Sequence, residues 1–173
     1  MYPFVRLAST FLKARYRRSL SAAEESRLEF RVLPGDIDFY PELNNGRHLT
    51  LMDLGRLDLA IRTGIFDLLR PNRWGLVVAG ASVRYRHRLP AFSRFVLSTQ
   101  IVGRDRLWFY FHQKTIRRGV VCSAALVRAG LTSKNGIVPT DDVMNAVGDS
   151  SVPAGIPDWV AAWSAADDLR PWA

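Results

Sequence analysis

Between residues 27 and 32 the side chains alternate. Arg27, Glu29 and Arg31 are charged, and Leu28, Phe30 and Val32 are apolar. A period of two predicts a half-buried strand, and Pro34-Gly35 ends it. A polar loop with embedded aromatics covers residues 36–44. Asn45 then reads as a helix N-cap, with Gly46 and Arg47 in the first turn. The helix is predicted to run to about Arg62, with Gly64 as its stop. Leu49, Leu51, Met52, Leu54, Leu57, Leu59 and Ile61 occupy most of its circumference. A surface helix carries one apolar stripe, so this helix is expected to be enclosed.

The following residues read as four strands, at 74–88, 95–102, 107–116 and 120–131. Turn signals at Gly103-Arg104-Asp105 and Arg118-Gly119 predict antiparallel hairpins. The order is strand, long helix, four strands. A doubly wound fold needs helices between the later strands, and the spacing leaves no room for them. One antiparallel sheet around one helix, an α+β fold, satisfies the order. After Lys134 the pattern weakens to a short helix at 141–147, a linker at 148–155 and an apolar tail with Trp159, Trp163 and Trp172. That tail is expected to dock on this subunit or a neighbour. The expected division is a basic amphipathic segment 1–24, a main domain 25–134 and an extension 135–173 with short helices.

The chain has 173 residues, 48% of them hydrophobic, which suffices for a substantial core and suits one domain. No apolar run approaches the roughly 18 residues needed to cross a bilayer. The single cysteine, Cys122, lies in an apolar run and reads as a small core residue. It cannot form an internal disulfide, and the expected location is the cytoplasm.

The net charge is +8, carried mostly by arginine. That suits phosphate recognition, but it equally serves solubility. Residues 1–20 mix Phe4, Val5, Leu7, Phe11 and Leu12 with Arg6, Lys13, Arg15, Arg17 and Arg18. A helix of this kind can lie peripherally on the anionic inner membrane, or pack on its own domain or on a partner. No nucleic-acid partner is expected. The run Trp108-Phe-Tyr-Phe111 is consecutive, so its rings alternate between sheet faces, whereas stacking platforms share one face.

The segment 33–49 carries the candidate chemistry. Asp38 lies just before a helix N-terminus, whose unpaired N–H groups and positive dipole end polarise a carbonyl placed there. Asp38 would act as general base on water or as nucleophile, and a thioester is a suitable electrophile. From spacing alone, Asp36, Asp38 and Asn45 read more readily as turn and capping residues. His48, His87 and His112 are too scattered for a metal site. There is no Gly-rich phosphate loop and no Gly-x-Ser-x-Gly elbow, so neither metal nor cofactor is expected.

The same segment resembles the signature of the 4-hydroxybenzoyl-CoA thioesterase-like hotdog family: Asp-x-Asp, a few residues, His-x-Asn-Asn, then a helix. Here the residues are Asp36-Ile-Asp38 and Glu42-Leu-Asn44-Asn45. Asp53 and Arg56 fall where the family has an acid and an arginine on its central helix. The likeness covers residues 28–131. It implies a five-stranded curved antiparallel sheet wrapped around a long central helix. It also implies hydrolysis of acyl-CoA or acyl-carrier-protein thioesters, without a cofactor, by a homodimer or a tetramer built from dimers that shares its sites across an interface. Asp38 maps to the family's catalytic acid. Asn45 and Glu42 are the other candidate catalytic residues. Gly46, Arg47, Asp53, Arg84, Arg86 and Arg88 are the candidate substrate contacts, the arginines for CoA phosphates. Asp53 and Arg56 also read as a structural ion pair. Glu42 stands where the family often has histidine. It either retunes the site or marks a protein that binds acyl thioesters without hydrolysing them efficiently.

Overall fold

The computed structural model describes residues 3–171, which leaves Trp172 outside the described residues. The predicted strand and helix appear as β1 (Ser26–Arg31) and α2 (Asn45–Arg62), joined by a 3-10 turn at Pro34–Asp36. The four later strands are β2 (Gly75–Tyr85), β3 (Arg94–Arg104), β4 (Phe109–Arg117) and β5 (Val120–Ser133). All their pairings are antiparallel, in the order β1-β3-β4-β5-β2. The curled sheet with its helices makes this an α+β hotdog fold. A three-residue strand, β6 (Gly136–Val138), adds to the end of β5. It was not foreseen, because the sequence loses its period there.

The inner face of the sheet presents Phe95, Leu97, Ile101, Phe109, Ala125 and Val127 to Leu51, Met52, Leu54 and Leu59 of α2. Leu51, Met52, Leu54, Leu59 and Ile61 are buried, so α2 is largely enclosed as expected, whereas Leu49 is exposed and Leu57 half-buried. Contact is tightest at Gly55. A Cβ there would collide with Thr99 Oγ1 and come within 2.9 Å of Leu97 Cδ2 and 3.1 Å of Gln113 Nε2. Gln113 is fully buried, and its amide donates to Met52 O and Thr99 Oγ1, both at 2.9 Å. A side chain at position 55 would push the helix off the sheet.

Gly64, at φ 81°, ends α2 as predicted. Directly beyond it lies an unforeseen helix, α3 (Ile65–Asn72). It is too short for periodicity to reveal, and Pro71 inside it reads as a breaker.

The N-terminal helix α1 (Phe4–Tyr16) packs on α2, burying Thr10 and Ala14. Phe11 meets Phe66 edge-on at 5.4 Å. Arg17, just past its end, reaches Asp58 at 3.1 Å. Asp58 is fully buried and also accepts from Ser26 and Arg62, so one carboxylate joins α1, β1 and α2. Val5, Leu12 and Tyr16 face outward.

The expected linker 148–155 is instead fastened to the domain. Gly155 and Arg104 exchange backbone hydrogen bonds at 2.8 and 3.1 Å, and Val152 is buried. It follows α4 (Thr140–Val147) and leads into α5 (Asp158–Asp168). This last helix docks on the outer face of the same sheet. Trp163 packs edge-on to Tyr110 and beneath Arg128, and Arg128 pairs with Asp167 at 2.8 Å. Among the described residues, no helix is long and apolar enough to cross a membrane.

Gly55→Ala is expected to lower the unfolding free energy by about 1–3 kcal/mol through overpacking. Urea unfolding at fixed protein concentration measures it. An unchanged midpoint would show that α2 is not held at this depth.

Candidate active site

The N-terminus of α2 is built differently from expectation. Asn44, not Asn45, is the N-cap. Its side-chain oxygen accepts from the Gly46 and Arg47 amides at 2.9 and 3.3 Å. Both asparagines suit a cap chemically, and Asn44 wins because its own N–H is anchored on Asp36 O at 2.9 Å. Gly46 fits this arrangement, since a Cβ there would sit 3.2 Å from the capping oxygen. Asn45 becomes the first helical residue. Its N–H has no hydrogen-bond partner among the described residues. A carbonyl at this helix end therefore meets the Asn45 amide, while those of Gly46 and Arg47 are already engaged.

The two aspartates of the loop have separate roles. Asp36 is buried, accepts from Leu33 N–H at 2.9 Å and pairs with Arg6 at 2.8 Å. It is structural. Asp38 is half-buried, and its Oδ1 accepts the Tyr40 N–H at 3.0 Å. Its Oδ2 has no hydrogen-bond partner among the described residues.

A pocket of about 140 Å³ opens at this helix end, lined by Glu42, Asn45, His48, Tyr85 and residues 86–89. Glu42 pairs with Arg88 at 3.2 Å, and Arg88 lies over the Tyr40 ring. The Tyr85 hydroxyl donates to Asn45 O at 3.1 Å.

Arg84, Arg86 and Arg88, the candidate phosphate contacts, alternate along the chain but do not share one face. Arg84 lines a groove with His112, Trp159 and Trp163, beside α5 on the outer side of the sheet. Beyond Tyr85 the alternation breaks, because the Arg86 and His87 amides both donate to Cys122 O. Only Arg86 and Arg88 reach the pocket. Arg47 is turned away as well. Its guanidinium donates to Gly35 O at 3.1 and 2.8 Å and braces the loop.

Further along α2 lies an apolar cavity of about 190 Å³. Leu57, Ala60, Ile65, Leu76, Phe109 and Phe111 are among its walls, and Asp53 and Arg56 supply its polar part. Arg56 pairs with Asp53 and donates to Gln113 Oε1 at 2.5 Å, so the foreseen ion pair is present. Burial against these walls raises the Asp53 carboxyl above the usual range, and Arg56 opposes that. Asn45, Leu49, Asp53 and Arg56 recur at helical spacing and form one stripe along α2. The polar pocket touches this stripe at one end and the apolar cavity at the other.

In the sequence His48 stands out only as one of three histidines too scattered for a metal site. It is 4% exposed, and its Nδ1 lies 3.1 Å from Ser123 Oγ. Its ring meets Tyr85 edge-on at 5.1 Å. Only strand pairing brings Ser123 behind it, 75 positions away. Among the described residues, no group of three or more His, Cys, Asp or Glu is arranged to hold a metal ion. Cys122 is buried as expected, and burial raises its thiol pKa.

A curled antiparallel sheet around a long helix, with a polar pocket at the helix N-terminus and an apolar cavity along its flank, makes this a hotdog protein. The sequence profile of the thioesterase-like superfamily matches residues 32–164, and the chain belongs to that superfamily. It is 27% identical to Protein THEM6 of Drosophila melanogaster over 76% of this chain and 70% of that one. It is 32% identical to Protein THEM6 of Xenopus laevis over 65% of this chain, which spans only 55% of that relative. The fold is similar to that of a 1,4-dihydroxy-2-naphthoyl-CoA thioesterase from Synechocystis, with TM-score 0.63 and 12% identity, over 75% of this chain and 100% of that one.

Burial lowers the pKa of the His48 ring to about 4 from 6.5. The unfolded chain takes up this proton near pH 6.5, and the folded chain only near 4. Stability from the neutral ring is therefore complete above pH 6.5 and declines as pH falls towards 4. Wild type is expected to lose up to about 3 kcal/mol over that window that His48→Gln does not lose. Denaturant unfolding at a series of pH values reads the difference, and parallel curves would refute it.

Proposed function

We propose that the protein hydrolyses acyl-CoA or acyl-carrier-protein thioesters in the cytoplasm. The observation that carries this is the α2 stripe, which joins a polar pocket at a helix N-terminus to an apolar cavity. The pocket receives the thioester group and the cavity receives the acyl group. Membership in the thioesterase-like superfamily supports the chemistry. The Synechocystis neighbour, a 1,4-dihydroxy-2-naphthoyl-CoA thioesterase, supports the substrate class.

In this reading the carbonyl oxygen points at the Asn45 amide, where the helix dipole favours developing negative charge. Asp38 removes a proton from the attacking water through its unpartnered Oδ2. Arg86 and Arg88 at the pocket mouth meet the phosphates of CoA, and Asp53 with Arg56 lines the path of the acyl group. No metal or cofactor enters the reaction.

A second copy completes the site. β2 is an edge strand, with Leu76 53% and Val78 50% exposed. An apolar edge of eleven residues is an aggregation hazard unless it is paired. Pairing the β2 edges of two copies removes the hazard and closes the open flank of the cavity. Peripheral contact with an anionic membrane also belongs to this reading. The outward Val5, Leu12 and Tyr16, beside Lys13 and Arg15, support it.

Thiol release from a panel of short, long and aromatic acyl-CoAs tests the activity. Hydrolysis is expected, and Asp38→Asn should lower kcat by about 10²–10⁴ with fold and size retained. Saturable binding without hydrolysis would instead make this a non-catalytic acyl-thioester binding protein. The Glu42–Arg88 pair favours that second reading, because it occupies the position where relatives often hold a neutral histidine. Light scattering is expected to give twice or four times the chain mass. A monomer would remove the shared-site arrangement.

A further inference from the structure

The helix end alone is short of donors. Asn44 occupies the Gly46 and Arg47 amides, so the backbone of this turn offers an incoming carbonyl the Asn45 N–H. Glu42, as a carboxylate, adds only acceptors. A developing oxyanion is best held by two donors, and a second one stands one helical turn further on.

The hydrogen-bond chain behind His48 fixes which ring nitrogen carries the proton. Thr115 Oγ1 accepts the Ser123 amide at 3.1 Å and lies 2.7 Å from Ser123 Oγ. Ser123 Oγ lies 3.1 Å from His48 Nδ1. Suppose Nδ1 were protonated and donated to Ser123. Ser123 would then donate to Thr115, and the buried Thr115 hydroxyl hydrogen would have no acceptor among the described residues. Leaving a buried donor unmade costs about 1–3 kcal/mol. In the opposite direction every group is satisfied. Thr115 donates to Ser123, Ser123 donates to Nδ1, and the ring proton sits on Nε2.

That Nε2–H has no partner among the described residues, yet it is not among their buried unsatisfied polar atoms. It therefore opens to space, and the space that His48 lines is the pocket it shares with Asn45. Asn45 and His48 are three apart, on one face of α2. The edge contact with Tyr85 holds the ring in place.

We infer that His48 is the second oxyanion donor of this site, its Nε2–H and the Asn45 N–H together holding the thioester carbonyl oxygen. The inference rests on the thioesterase reading. Water adds to the carbonyl carbon and gives its proton to Asp38. The C–S bond breaks with its electron pair on sulfur, and that proton passes to the departing thiolate. His48 keeps its proton throughout. Its depressed basicity suits this role, because a neutral donor loses nothing to titration near neutral pH.

Two arms test this in the full-length protein. The first compares steady-state hydrolysis by wild type, His48→Phe and His48→Gln. Phenylalanine keeps the ring and removes the donor, so kcat is expected to fall about 10²–10³-fold while KM changes little. Glutamine, with an amide donor at similar reach, should recover at least part of the loss. A His48→Phe enzyme with wild-type kcat would overturn the inference. The second arm needs neither a variant nor turnover. Histidine-¹⁵N-labelled wild type is titrated with two non-hydrolysable CoA analogues. One is a ketone with the sulfur replaced by CH₂, which keeps the carbonyl. The other is a thioether, which lacks the carbonyl. The ring is expected to show the Nε2–H tautomer, and its Nε2 signal to shift with the ketone but not with the thioether. The Nδ1–H tautomer, or equal shifts with both, would overturn the inference even if the enzyme turns over. If wild type hydrolyses no substrate but the ketone-specific shift appears, the thioesterase reading fails and the His48 contact stands.

Discussion

The depth at which α2 lies in the sheet governs the rest of the molecule. Gly55 lets the helix backbone approach Thr99 and Gln113 until the glutamine can hydrogen-bond to Met52 O. Gln113 then presents its other end to Arg56, and Arg56 holds Asp53. One fully buried amide thus fixes the height and rotation of the helix. That rotation leaves a single stripe, from Asn45 to Arg56, beside the open β2 edge. A helix rotated in its seat would move Asn45, Asp53 and Arg56 away from the pocket and the cavity they line. A polar group in such a place is tolerable only because each of its atoms has a partner.

Arginine does work inside this protein that its net charge conceals. Arg6 anchors α1 to Asp36, and Arg17 and Arg62 converge on Asp58. Arg47 braces the loop on Gly35, and Arg128 clamps α5. Arg6, Arg17 and Arg128 join segments far apart in sequence, and a planar fork with several donors suits such joints better than an ammonium does. Buried pairs of this kind contribute little net stability relative to apolar replacements, but breaking one partner away is costly. Their value here is positional. The N-terminal and C-terminal helices are held by charge at defined places on an apolar domain, and a basic composition does not by itself imply a basic recognition surface.

Much of the fold was legible in the sequence, because the period changes where the elements change. The two-residue alternation of 27–32 and the apolar circumference of 49–61 could not exchange roles. Where local pattern is short or weak, legibility ended. The eight residues of α3 and the three of β6 carry too few positions for a period to show. The site was less legible than the fold. Asn44 and Asn45 are chemically alike, and only the bond from Asn44 to Asp36 O separates them. Arg84, Arg86 and Arg88 alternate in the sequence, but the strand ends at Tyr85 and the alternation ends with it. The surroundings of His48 depend on the register of β4 against β5, which sets Thr115 opposite Ser123. No local pattern encodes that pairing.

The docking of α5 divides the sheet into parts of unequal tenacity. Around Tyr110 and Leu126, β4 and β5 are covered on both faces, by α2 within and by Trp163 and Val160 without. Their amides are hydrogen-bonded on both sides, so exchange with solvent there requires opening most of the molecule. β1 and β2 are edges, each bonded to one neighbour only. The pocket and the cavity both lie toward the β2 side. The domain thus places its doubly bonded, doubly covered backbone at the centre of the sheet and a singly bonded edge beside the pocket and the cavity.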